Sequence, residues 1–280
     1  MNIGIIGLGL MGGSFARLLK RYGHTVYAYD KDSAVMKKGE LMKAFDERLS
    51  VDNADKLDML VAAVFPSAFK SAVEPYLKKL KSGAVVTDFC GTKKTVVSAM
   101  EEFKKDYPEL VCVGGHPMAG REFSGIEHSS VNLFEKASMI IVPVGTDIYD
   151  LQSIKNFYLS LGFGSVVFTD AAHHDEMIAY TSQLCHIVSN AFVKNKRASE
   201  HFGYSAGSYK DLTRVARLNG EMWSGLMTEN REYLFKELEE LIGNLNEYLS
   251  ALKSGDKEKL EKLLSEGNER KLAIDFDKNK

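Results

Sequence analysis

This chain of 280 residues lacks a disulfide framework, a spanning helix and a strong charge of either sign. Its three cysteines, Cys90, Cys112 and Cys185, have no paired spacing, which fits a reducing compartment. No run of about 18 apolar residues exists to cross a bilayer. The formal net charge of −2 supplies no global field for nucleic acid or an anionic membrane. An anionic ligand therefore needs local cations. The opening MNIGIIGLG already reads as a strand, so no signal peptide is expected. These absences give the expectation of a cytoplasmic protein with neither nucleic-acid nor membrane partners. At 45% hydrophobic and 26% charged, the composition is that of a globular protein with a real core.

Short apolar runs fill the first 170 residues: 2–7, 25–30, 59–65, 84–89, 110–115, 139–144 and 165–170. They are continuous rather than alternating, as in a parallel sheet covered on both faces. Helical stretches such as 12–22 and 92–105 lie between them. That alternation predicts an α/β fold with an N-terminal doubly wound, Rossmann-like domain over 1–168. After it, 171–197, 208–218, 229–252 and 256–270 read as helices, an all-α domain over 169–280. In the third, Leu234, Leu238, Leu241, Ile242, Leu245, Leu249 and Leu252 form an apolar stripe. Packing within its own domain and a dimer surface both account for the stripe. Asp256 is placed to cap the last helix.

The first strand runs into Gly7-Leu8-Gly9-Leu10-Met11-Gly12, a G-x-G-x-x-G turn opening a helix. Such glycines allow a tight turn, close approach of backbone to a pyrophosphate, and close helix–strand packing. The helix N-terminus offers its N–H groups to the anion. The second strand ends at Asp30, eighteen residues after Gly12, where a carboxylate can accept from ribose hydroxyls. It would repel a 2′-phosphate, so NAD is expected over NADP, with Lys31 the one feature pointing the other way. The run 59–65 ends against a proline, which makes Phe65 and Pro66 candidate cofactor neighbours as well as ordinary loop.

GGHPMAGREFSG, residues 114–125, sets His116 against Pro117 and among four glycines. Glycine serves sharp turns and close approaches, and proline fixes its neighbourhood. The run before it puts His116 at a strand's carboxyl edge, where open α/β sheets bind ligands. A nicotinamide enzyme that oxidises an alcohol needs a base, and imidazole suits that task. A structural histidine in a tight turn is the other reading.

With G-x-G-x-M-G-G-S, this loop, SQLCH (182–186), YKDLTRVA (209–216) and EMWSGLMTEN (221–230) in this order, the chain resembles the prephenate/arogenate dehydrogenases of tyrosine biosynthesis over nearly its whole length. The resemblance implies a dinucleotide domain followed by a helical domain that forms a homodimer. It implies that a cyclohexadienol ring gives hydride to the nicotinamide, loses its hydroxyl proton and CO₂, and becomes aromatic. Prephenate would give 4-hydroxyphenylpyruvate and arogenate would give tyrosine. It makes His116 the proton acceptor. It puts Arg214 on a substrate carboxylate, which a guanidinium binds bidentately. His186 then lines the substrate pocket. The family's D-x-x-S-x-K serine falls on Gly91, beside Thr92, whose hydroxyl either enters the site or caps the next helix.

Several further residues admit two readings. Glu122 is a candidate for contact with substrate or Arg121; Trp223, Met222 and Met227 are a substrate wall or plain core. Arg217 and Arg121 are added positive charge or solvated surface. No metal is expected. His174 and His186 lie about 120° apart around a regular helix, and the adjacent His173 and His174 diverge. A 3-hydroxyacid dehydrogenase or imine reductase shares the cofactor half but has no use for the His-Pro loop. A non-catalytic dinucleotide-binding regulatory protein has only Gly91 in its favour.

Overall fold

The computed structural model describes residues 1–121 and 123–277. Eight strands form one sheet: β1 Asn2–Ile6, β2 Thr25–Tyr29, β3 Glu47–Arg48, β4 Met59–Ala62, β5 Val85–Asp88, β6 Val111–Pro117, β7 Ser138–Pro143 and β8 Ser165–Phe168. Their order is β3-β2-β1-β4-β5-β6-β7-β8. All pairs are parallel except β6 with β7, where His116 faces Ile140 and Pro117 faces Met139. The expected strand at 110–115 thus continues through the His-Pro pair, because β7 runs back along it. β3 has two exposed residues, too few to leave a pattern in the sequence.

Alternate strand residues enter opposite cores. Ile3, Ile5, Met59, Val61, Val113 and Ile141 face one core, with α1 (Leu10–Arg21) and α5 (Ile148–Ser160). Phe15, Phe89, Phe134, Tyr158 and Phe163 form an aromatic cluster there, with ring centroids as close as 4.8 Å. Leu60, Ala62, Val86 and Cys112 face the other core, under α3 (Pro66–Leu77) and α4 (Lys94–Asp106). The helix α2 spans Ser33–Leu41, capped by Asp32.

The strands give way to helices after 168, and compactness divides the chain elsewhere, into Met1–Asn230 and Arg231–Lys280. The first unit keeps α6 (Ala171–Ile178), α7 (Cys185–Val193), α8 (Gly207–Thr213) and α9 (Gly220–Glu229). Side-chain bonds from α6 to the start of α4 explain that cohesion. The expected single helix 171–197 is interrupted by a π-helical turn at Ala179–Leu184, so the 120° figure for a regular helix does not hold across it. The second unit is a pair of helices, α10 (Arg231–Ser254) and α11 (Lys257–Asp277). Gly255, at φ +68°, makes the turn, and Asp256 accepts from the Lys259 N–H at 2.9 Å. Leu234 is buried, whereas Ile242, Leu245, Leu249 and Leu252 of the stripe are exposed. Among the described residues no helix is long and apolar enough to cross a membrane.

Candidate active site

The glycine-rich turn joins β1 to α1, and each glycine has its own cause. Gly7 sits at φ +91°, and a Cβ there would lie 2.4 Å from the Ala63 carbonyl oxygen. A Cβ on Gly12 would fall 1.8 Å from the Gly7 oxygen, so α1 can lie this close only with glycine. A Cβ on Gly9 would meet nothing within 4 Å. It would fill the open space in front of α1, where a pyrophosphate fits. No side chain caps α1 and no acid sits in its first turn, which suits an anion. Leu8 is core and its N–H is taken up by Asp30, while Leu10 and Met11 are half-buried at the start of α1 and offer backbone. Asp30 is half-buried; its Oδ2 accepts from the Leu8 N–H at 2.8 Å and its Oδ1 from the Asp32 N–H at 2.9 Å. The carboxylate therefore holds the turn, one residue past the carboxyl end of β2. Phe65 is exposed, and Pro66 is the buried first residue of α3, just past the Ala63 carbonyl and Val64 side chain that abut Gly7. The residues present fit a dinucleotide.

Three strands across the sheet, roughly 14 Å away at the usual strand spacing, β6 carries His116 on the same carboxyl edge. The glycines before it are steric necessities. A Cβ on Gly115 would lie 2.5 Å from the Asp88 carbonyl oxygen and 2.7 Å from Met139 Cε; one on Gly114 would press on the Lys93 stem at 3.1 Å. Asp88 and Lys93 form a fully buried ion pair. Asp88 also accepts from the Cys90 N–H at 2.7 Å and the Gly115 N–H at 2.9 Å. Lys93 Nζ also donates to the Cys90 carbonyl at 3.0 Å. The pair pins β6 behind the imidazole.

The His116 ring is half-buried, and its Nδ1 lies 2.9 Å from His174 Nε2. His174 Nδ1 lies 2.7 Å from Asp175 Oδ1. Asp175 accepts from the backbone N–H groups of Lys93 (2.7 Å) and Lys94 (2.9 Å), so it caps α4 from another helix. Burial first, then the charge of Lys93 and the His174 ring, hold His116 well below the usual imidazole range. His174 is lowered too, by burial above all, against the opposing pull of Asp175. The site thus keeps a neutral imidazole.

From the sequence, His174 and Asp175 enter only a metal reading that is set aside, and they have no role beside His116. HHD at a helix start reads as ordinary helix, and only the fold brings residue 174 to residue 116. His173, its neighbour, points outward to Glu176 at 3.5 Å. Among the described residues no group of three or more metal-ligating side chains converges. Thr92 neither caps α4 nor faces solvent; its hydroxyl is buried without a hydrogen-bond partner among the described residues. Asp175 has taken the capping role. A side chain at Gly91 would meet Leu226 of α9 at 3.3 Å. Glu122 lies outside the described residues; Arg121 is exposed.

His186 Nδ1 donates to the Val215 carbonyl at 3.0 Å, and Asn190, one turn on, donates to the Ala216 carbonyl at 3.1 Å. These bonds seat the turn Arg214–Ala216 on α7, with Arg214 exposed. Trp223 packs on the His186 ring, centroids 3.9 Å apart. Arg217 lies 5.4 Å over the Phe123 ring, which ties the same turn to the His-Pro loop. The structure thus joins His186, the Arg214 turn and the His-Pro loop.

A doubly wound sheet with this glycine turn and acid defines a dinucleotide-binding class of protein, and a constrained imidazole stands on the same sheet edge. The family model for prephenate dehydrogenase, nucleotide-binding domain, matches residues 15–167, and that for its dimerization domain matches 170–266. The chain belongs to the prephenate dehydrogenase family. A cyclohexadienyl dehydrogenase of Zymomonas mobilis is 29% identical, covering 99% of this chain and 97% of its own. A prephenate dehydrogenase of Aquifex aeolicus, solved with hydroxyphenyl propionate and NAD+, is 28% identical with a TM-score of 0.83, covering 98% of each chain. A Synechocystis arogenate dehydrogenase shares the fold at 24% identity and a TM-score of 0.81, over 98% of this chain and 100% of that one.

Proposed function

We propose that this chain converts prephenate to 4-hydroxyphenylpyruvate by oxidative decarboxylation, with NAD as its cofactor. The observation that carries this reading is His116, a neutral imidazole on the sheet edge that also holds the glycine cradle. NAD supplies the hydride acceptor. His116 takes the proton of the ring hydroxyl, which favours departure of hydride from the carbinol carbon. The open cradle at Gly9 receives the pyrophosphate on α1, and Asp30 keeps acceptor capacity for the ribose. Phe65 and Pro66 border the cofactor.

Arg214 grips a carboxylate of the substrate, and His186 with Trp223 walls the pocket beside it. If Arg214 holds the carboxylate that leaves, it stabilises the ground state at least as much as the transition state. The family resemblance alone makes Glu122 a substrate contact. The exposed stripe on α10 supports a homodimer through the helical part. Free thiols at Cys90, Cys112 and Cys185 accord with the cytoplasm.

The test follows absorbance at 340 nm with NAD and either prephenate or arogenate. The larger kcat/KM names the substrate, and inactivity with both, repeated with NADP, overturns the reading. His116→Asn is expected to lower kcat mainly, and Arg214→Ala to raise KM mainly. Reversed phenotypes refute the two roles.

A further inference from the structure

We infer that His174 and Asp175 are positioning residues that fix which ring nitrogen of His116 carries its proton. The inference rests on His116 being the base proposed above, and it extends that reading to two residues on another helix.

Donors and acceptors alternate along one line from Asp175 through His174 to His116. Asp175 has backbone N–H groups on both carboxylate oxygens, at 2.7 Å and 2.9 Å. A carboxylate so placed only accepts, so His174 Nδ1, 2.7 Å from Oδ1, carries a hydrogen. A neutral imidazole has one N–H, which leaves His174 Nε2 with a lone pair. His116 Nδ1 stands 2.9 Å from that lone pair and must donate to it. His116 Nε2 is then bare. It has no hydrogen-bond partner among the described residues, and the half-buried ring leaves it for an incoming hydroxyl. A base needs this arrangement, because the tautomer with hydrogen on Nε2 would offer a donor where an acceptor is required.

The same line holds when His116 takes a proton. Its Nδ1–H already points at His174 Nε2, so the new charge is partnered without reorganisation and faces the Asp175 carboxylate through one ring. That opposes the unfavourable charge of Lys93. Both positioning residues are buried: each is 2% exposed. The Asp175 carbonyl accepts from Asn230 Nδ2 at 2.8 Å, and that amide also holds Gln183 at 2.9 Å. A carboxylate orienting a catalytic imidazole is known from serine proteases, where loss of tautomer control is severe. Here a second imidazole stands between.

The experiment is ¹⁵N NMR of the full chain labelled in its seven histidines, recorded near pH 8, above the imidazole range. His116→Gln identifies the His116 signals by their disappearance. The expected result is a protonated Nδ1 and a bare Nε2. A His116 protonated at Nε2 overturns the inference, and this spectrum needs no activity and no His174 variant to fold. The second measurement compares His174→Gln, whose amide oxygen can still accept from His116 Nδ1, with His174→Leu, which cannot. His174→Leu is expected to lower kcat by about 10²-fold or more with KM little changed, and His174→Gln to recover most of it. Equal losses in both, or a loss confined to KM, overturn the inference. A wild-type protein inactive on prephenate and arogenate would refute the functional reading while the tautomer result still stood.

Discussion

Lys93→Met deletes an ammonium from the buried centre of the first unit and keeps most of its stem. Asp88 then loses its counter-charge and keeps two backbone donors, Cys90 N–H at 2.7 Å and Gly115 N–H at 2.9 Å. Breaking a buried pair by removing one partner costs about 3–5 kcal/mol. The two surviving charge-assisted bonds put this site at the low end, about 3 kcal/mol. At a slope of about 2–3 kcal/mol per M urea, the unfolding midpoint falls by about 1–1.5 M. A second readout comes from the site. Lys93 is one cause of the lowered pKa of both His116 and His174, so its loss lets both rise. His116 then protonates at a higher pH, and the acid limb of kcat/KM moves up. An unchanged urea midpoint would show the pair to be irrelevant to stability. A limb that moves down would refute the electrostatic account of His116.

Gly9→Ala is predicted to keep the wild-type melting temperature and to weaken NAD binding about 10-fold or more, whereas Gly12→Ala is predicted to lower stability by more than 1 kcal/mol, since its Cβ would lie 1.8 Å from the Gly7 oxygen. Melting curves and NAD titration check both, and equal behaviour of the two variants would sink the distinction. Folded His116 and His174 resist protons that the unfolded chain accepts near pH 6.5, so stability is fully present above that pH and lost below it. The loss is up to about 1.4 kcal/mol per pH unit for each proton, and a melting temperature flat from pH 7.5 to 5.5 would contradict it.

The cofactor half was legible because its signals are local. Gly7, Gly9, Gly12 and Asp30 lie within one strand–helix–strand unit, and the spacing that recruits a dinucleotide is the spacing of the turn itself. His116 was legible as a constrained imidazole, while the cause of the constraint was not. Lys93, Asp88 and Met139 press on Gly114 and Gly115 from three other elements, and no sequence pattern encodes that meeting. The antiparallel β7 was hidden for another reason. A continuous apolar run reads the same in either direction, so direction is set only by the connection from β6. The π-helical turn at Ala179–Leu184 left no sign in the residue pattern.

The buried polar groups of the first unit bear on why this fold holds a histidine as it does. Asp88, Lys93, His174, Asp175, Gln183 and Asn230 are all buried, and they form hydrogen bonds running from β5 and α4 through α6 to α9. As stabilising devices they are poor choices. Well-packed apolar residues of similar volume often do as well or better than a buried ion pair, because desolvation cancels most of the attraction. An apolar set could keep an imidazole neutral by burial, but it could not orient the ring or accept its N–H on one side only. The groups that do so converge on His116: the Asp88–Lys93 pair fixes the strand, the Lys93 charge lowers the basicity, and His174 with Asp175 engages Nδ1. Each costs desolvation and each acts on the same ring, so the network is accounted for by the placement of that ring more fully than by the stability of the fold.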